Sequence, residues 1–176
     1  MATTGKIILI DADVVSHFVS ADAADVLPAI FPYPIKVLDK VYAELARIAR
    51  IKRIVDDLID RQSLDVIPFP EHDFDIVKEY FHIKTLLFKG DGEAACMAVA
   101  RYTNDIIASS NLRDIRHYCK THGIVYISTM DFLCNAVRRG IFTERQCDEF
   151  IRKVRAVGSK LPVERMRDFS CRDLEL

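Results

Sequence analysis

The chain has 176 residues, half of them hydrophobic and 29% charged, with a formal net charge of −1 at pH 7. That length suits one domain able to bury roughly 70% of its unfolded surface, so no metal or disulfide staple is needed for folding. No apolar run approaches the ~20 residues of a membrane span, and the opening MATTGK has no charged segment leading into a long apolar one, so neither an anchor nor a signal peptide is expected and the predicted location is the cytoplasm.

In chain order, KIILI (6–10) reads as a buried strand, and the helical segment DVVSHFVS follows it at once. Three prolines make 27–37 a loop or broken segment running into a short strand at 35–37. Residues 38–61 carry helical apolar spacing through Val41, Leu45, Ile48, Ile51, Val55 and Leu58, with Asp39 as a candidate N-cap and a possible break near Ile51–Lys52. SLDVIPF (63–69) is a strand stopped by Pro68, and 71–88 is mostly helix. KGDG (89–92) is a loop, and EAACMAVARYT (93–103) is a helix of small residues able to pack closely on a sheet. DIIASS (105–110) and IVYIS (124–128) are strands, separated by a helix over 111–123 that stops at Gly123. A helix over 129–140 ends at Gly140, with Ser128 or Thr129 as its cap. The last helix opens on a capping box, Thr143 with Gln146, and ends at Gly158.

Strands alternating with helices predict an α/β fold, a three-layer α/β/α sandwich on a mainly parallel sheet. Ligands of such sheets sit outside the carboxyl ends of the strands. The residues there are Asp11 and Asp13, the region before Glu44, Ser109, Ser110 and Asn111, and Ser128, Thr129 and Asp131. Each also has a plain structural use: Asp11, Asp13 and Asn111 suit helix caps, and Glu93 suits a first helical turn. The five cysteines form no C-x-x-C pair and read as reduced, buried thiols. Residues 1–100 hold 11 Lys+Arg against 16 Asp+Glu, and residues 101–176 hold 14 against 10, so an acidic region lies beside a basic one.

Two families open on a strand followed by D-x-D. ILIDADVV resembles the haloacid-dehalogenase-type phosphatases, in which Asp11 would be the phosphorylated nucleophile and Asp13 the general acid. The order of later motifs goes against it, because KGDG precedes both IIASS and VYIST. Over residues 6–160 the chain resembles the PIN domains. LIDADVV matches their opening strand, VYAELAR places Glu44, and GDGEAACMAVA places Glu93. SSNLRDI supplies Asn111 and Asp114, and HGIVYISTMDF onward is similar to that family's ending. Ala95 stands where one branch has a second glutamate, and Ser-Ser-Asn (109–111) where many members have Thr-Asp-Asp.

The resemblance implies a PIN-like domain over 1–160 with a tail at 161–176, acting as a Mg²⁺- or Mn²⁺-dependent endoribonuclease. Asp11, Glu44, Glu93 and Asp114 would be catalytic, with Asp11, Glu93 and Asp114 on the metal. Asp13, Asn111, Asp91 and Thr129 would support them, and Lys89, Arg113 and Arg116, with Arg138 and Arg139 as further choices, would touch RNA phosphates. Similarity to VapC-type toxins implies a small antitoxin partner and a homodimer, and no membrane. The departures at Ala95 and at 109–111 support an alternative, a PIN-shaped binding module that cuts nothing.

Overall fold

The computed structural model describes residues 5–87 and 90–176, and at Asp114 the backbone alone. Five strands are present among the described residues: β1 (Ile8–Ile10), β2 (Ile35–Leu38), β3 (Asp65–Ile67), β4 (Ile106–Ala108) and β5 (Tyr126–Ile127). All pair in parallel in the order β3-β2-β1-β4-β5, with Ile8 in register with both Ile35 and Ile106. β1 is therefore central, and its three residues are fully buried. A strand covered on both faces is read from a continuous apolar run, as KIILI is.

The α-helices among the described residues are α1 (Ala12–Ser20), α2 (Leu27–Ile30), α3 (Asp39–Leu45), α4 (Ala49–Asp60), α5 (Phe74–Leu87), α6 (Asp91–Thr103), α7 (Leu112–His122), α8 (Thr129–Arg138) and α9 (Glu144–Ala156). The chain steps from β1 through β2 to β3 in one direction and returns through β4 to β5 in the other. Right-handed crossovers then put helices on both faces of the sheet. α1 packs with α3, α4 and α9, and α6 packs with α5, α3 and α7. Phe18, Phe132, Phe150 and Phe31 meet edge-on, with centroids 4.9–5.6 Å apart, locking α1, α8 and α9 together. The α/β architecture is the expected one, and the sheet, expected to be mainly parallel, is parallel throughout its five described strands.

Several local expectations change. The helix break falls at Ala46–Ile48, before α4, and not at Ile51–Lys52. Leu38 holds the N-cap position of α3; Asp39 is its first residue, and Oδ1 of Asp39 accepts from the Lys40 and Phe69 amides. The proline-rich stretch contains α2, with Pro28 in its first turn, where a missing N–H costs nothing. α6 begins two residues early, at Asp91. The largest correction concerns sulfur: Cys134 on α8 is bonded to Cys171 in the tail, across 37 residues of sequence. Cys96, Cys119 and Cys147 are free and buried, as expected. The tail also buries Leu161 and Met166 against the domain. Among the described residues no helix is long and apolar enough to cross a membrane.

Candidate functional site

Asp11 follows β1 directly and belongs to two elements. Its amide extends the sheet ladder to the Ala108 carbonyl (2.8 Å), while its carboxylate takes the N-cap of α1 and accepts from the Ala12 amide (2.8 Å). It is only 7% exposed. Asp13 accepts from the Val14 amide with one oxygen (2.6 Å) and from the Ser110 amide with the other (2.9 Å), so it joins α1 to the end of β4.

Two glutamates arrive from helices. Glu44, in the last turn of α3, accepts from the Gly92 amide (2.9 Å) at the N-terminus of α6, where the helix dipole favours an anion. The approach needs glycine: a Cβ on Gly92 would lie 2.9 Å from Val41 Cγ2 and 3.3 Å from Glu44 Cδ. Glu93 sits in the first turn of α6, and its Oε1 accepts from Asn111 Nδ2 (3.4 Å). Asn111 holds the N-cap position of α7, and its Nδ2 reaches across to Glu93. Asp11, Asp13, Glu44, Glu93 and Asn111 line one open cavity of about 370 Å³, floored on one side by Leu45, Ile48 and Ile51. The cavity lies at the carboxyl end of β1, where the order of strand connections reverses, the usual place for a ligand in such sheets.

Burial, followed by crowding of like charge, dominates the electrostatics. Burial, then the Asp13 charge, push the Asp11 carboxyl well above its ordinary range; the Ala12 amide pulls it back, and Glu93 and Glu44 push it further. Burial raises Asp13 as well, against the pull of the Ser110, Val14 and Asn111 amides. Cys96, buried on α6, reports the same field: burial and then Asp11, Asp13, Glu93 and Glu44 drive its thiol far up. The donor set is all oxygen, with carboxylates and one amide, which suits a hard cation such as Mg²⁺ or Mn²⁺. Among the described residues, no three His, Cys, Asp or Glu side chains lie close enough together to hold an ion.

The remaining expected site residues are dispersed. Asp91 turns away from the cavity to the Tyr80 hydroxyl (2.9 Å) and Lys84 of α5, and those contacts hold its carboxyl below the ordinary range. Asp114 lies in the first turn of α7, but its side chain, like Lys89, lies outside the described residues. Arg113 and Arg116 are exposed on α7. Arg138 contacts the Arg172 carbonyl and Asp173, and Arg139 donates to the Ala29 and Ile30 carbonyls, so both bind the chain to itself.

Thr129 is fully buried in a network that sequence reading did not find. Its Oγ1 meets His17 Nδ1 (2.9 Å) and Ser110 Oγ (2.5 Å), and its amide donates to Ser110 Oγ (3.2 Å). Because Ser110 in turn donates to Asp13, the chain His17–Thr129–Ser110–Asp13 leaves α1 and returns to it one turn earlier, a closed ring through α8 and the end of β4. The usable signal was a histidine four residues after Asp13, on the same helix face. His17 is 5% exposed, and burial lowers its pKa from 6.5 to about 4. The unfolded chain therefore takes up this proton first, and stability is lost as pH falls from 6.5 towards 4. A depression of ~2.5 units corresponds to about 3 kcal/mol. Denaturant midpoints of wild type and His17→Asn, compared from pH 7 to pH 4, should converge by an amount of that order. A wild-type–variant gap that stays constant with pH would refute a buried neutral His17.

No model of a known family matches the chain, and the comparison with curated proteins returns no match.

Proposed function

We propose that the chain is a divalent-metal-dependent phosphodiesterase of PIN-like type, acting on RNA. The observation that carries this reading is the convergence of Asp11, Asp13, Glu44 and Glu93, from separate elements, on one cavity at the β1 switch point, with Asp11 buried among like charges. Such crowding is costly without a cation and is relieved by one. Asp11, Glu93 and Asp114 would hold the ion, with Asn111 orienting Glu93. Asp13, fixed by the Ser110 and Val14 amides, sets the position of the β4 end relative to α1. Glu44, fixed on the Gly92 amide, seats the N-terminus of α6 and hence Glu93. A bound Mg²⁺ or Mn²⁺ would lower the pKa of a water and offset charge on the phosphate. Lys89, Arg113 and Arg116 would hold the RNA backbone without reading sequence. A small antitoxin and a second copy of the chain remain its proposed partners.

One observation favours a second reading, a PIN-shaped binding module without catalysis. Glu44 and Asp91 each carry a structural contact, Glu44 to the Gly92 amide and Asp91 to the Tyr80 hydroxyl. The deciding experiment is Mn²⁺ titration calorimetry on wild type and Asp11→Asn, with single-stranded RNA cleavage assayed on the same samples. The nuclease reading expects binding and cleavage in wild type and neither in the variant. A folded wild type that takes up no millimolar Mn²⁺ and leaves RNA intact sinks it in favour of the binding module. A covalent aspartyl-phosphate on Asp11 would instead mark the phosphatase alternative.

A further inference from the structure

The tail is joined to the domain at one small region of α8 and β5. Cys134 is 3% exposed on α8, whereas its partner Cys171 is exposed. The next residue, Arg172, grips Asp131 with both arms: Nε to Oδ1 (2.9 Å) and a terminal nitrogen to Oδ2 (2.8 Å). The same terminal nitrogen donates to the Tyr126 carbonyl (2.6 Å), and the guanidinium lies 4.6 Å from the Tyr126 ring centre. Tyr126 belongs to β5, the outermost strand on that side of the sheet. An outer strand carries unpaired backbone groups that proteins cover or blunt, and here the cover is Arg172. Leu174 and Leu176 also pack against the core beyond the bond.

We propose that Cys134–Cys171 is a thiol–disulfide exchange site, and that its reduction by a dithiol releases the tail from the β5 edge. Cys171 is the exposed residue of the pair, so its sulfur is the one at which an incoming thiolate would attack. Attack there forms a mixed disulfide on Cys171 and expels the Cys134 sulfur, which takes a proton. The second thiol of the reductant then closes its own disulfide and expels Cys171 as a thiol. Two electrons and two protons pass from the dithiol to the two cysteines, and nothing else is consumed.

Once the bond opens, the last residues are held by Arg172 and by shallow apolar contacts alone. Arg172 is itself 39% exposed, so water competes for its partners. The released state uncovers the Tyr126 carbonyl and leaves Asp131, 3% exposed in its side chain, with Ser128 as its remaining partner. The device is thus a latch whose covalent part is accessible and whose electrostatic part is too weak to close the edge alone.

The test uses the full-length wild-type protein. Purified under air and denatured without reductant, it should show three reactive thiols, rising to five after dithiothreitol. Hydrogen exchange on the folded protein should show amides 168–176 exchanging roughly tenfold faster or more after reduction, with the α9 amides unchanged. Cys171→Ser, which alters an exposed side chain, should reproduce the fast tail without reductant. Five reactive thiols in the air-purified protein would overturn the proposal, as would equal tail protection before and after reduction.

Discussion

Asp11→Asn is expected to make the cation-free protein more stable at neutral pH while abolishing its response to Mn²⁺. Burial and the Asp13, Glu93 and Glu44 charges raise the folded pKa of Asp11. A carboxyl raised in this way contributes most below its unfolded value near 3.9, and that contribution is lost as pH rises through the folded value. Each unit of elevation costs about 1.4 kcal/mol at pH 7. Asparagine removes the charge and keeps the oxygen that accepts from the Ala12 amide. The variant should therefore melt at a higher temperature than wild type at pH 7 and lose the advantage near pH 4. Thermal melts in chelator at both pH values measure this. With Mn²⁺ at a hundred times its Kd the wild type should gain about 2.7 kcal/mol and the variant nothing. A variant less stable than wild type at pH 7 would mean that the Asp11 charge is compensated within the fold. A stabilised variant of a wild type indifferent to Mn²⁺ would leave a strained acidic pocket serving the binding-module reading. Comparing each variant with wild type at every pH separates this trend from that of His17, which runs the other way between 6.5 and 4.

The sheet was legible in the sequence because burial on both faces leaves a continuous apolar run, and β1 and β4 are fully buried. What was not legible follows from the same logic. The break at Ala46–Ile48 carries no glycine or proline, and the apolar spacing runs through it: Val41 and Leu45 before it and Ile51, Val55 and Leu58 after it all enter one core. Periodicity records which side is buried and is silent about a kink that keeps that side. Pro28 misled in the opposite way, since proline marks a loop in most settings but is tolerated in a first helical turn.

For the candidate site, the strand-end rule pointed to Asp11, Asp13 and Asn111 and the family resemblance to Glu44 and Glu93, and these five line one cavity. Asp91, two residues from Glu93, has the same local chemistry and a different destination, because Tyr80 and Lys84 of α5 capture it. Only tertiary structure supplies that capture. The His17–Thr129–Ser110 contacts span up to 112 residues, and the Cys134–Cys171 bond depends on the placement of both cysteines, which spacing cannot give.

Opening the disulfide and removing Arg172 should prove non-additive. Cross-linking a loop of this length is worth about 2–4 kcal/mol through restriction of the unfolded chain, so Cys171→Ser should cost an amount of that order when Arg172 is present. Removing one partner of a buried ion pair costs about 3–5 kcal/mol. Arg172 is 39% exposed and Asp131 keeps Ser128, so about 2 kcal/mol is expected for Arg172→Ala in the bonded protein after allowing for solvent screening. In the Cys171→Ser background Arg172 sits on a segment that spends time detached, and its loss should matter less. The double-mutant cycle, measured by urea denaturation, should therefore return a coupling of about 1 kcal/mol or more, with the double variant less destabilised than the sum. Coupling of that sign means that the bond holds Arg172 in place over the β5 edge. A coupling indistinguishable from zero means that the ion pair seats the tail unaided, and that the covalent bond acts on the unfolded chain alone.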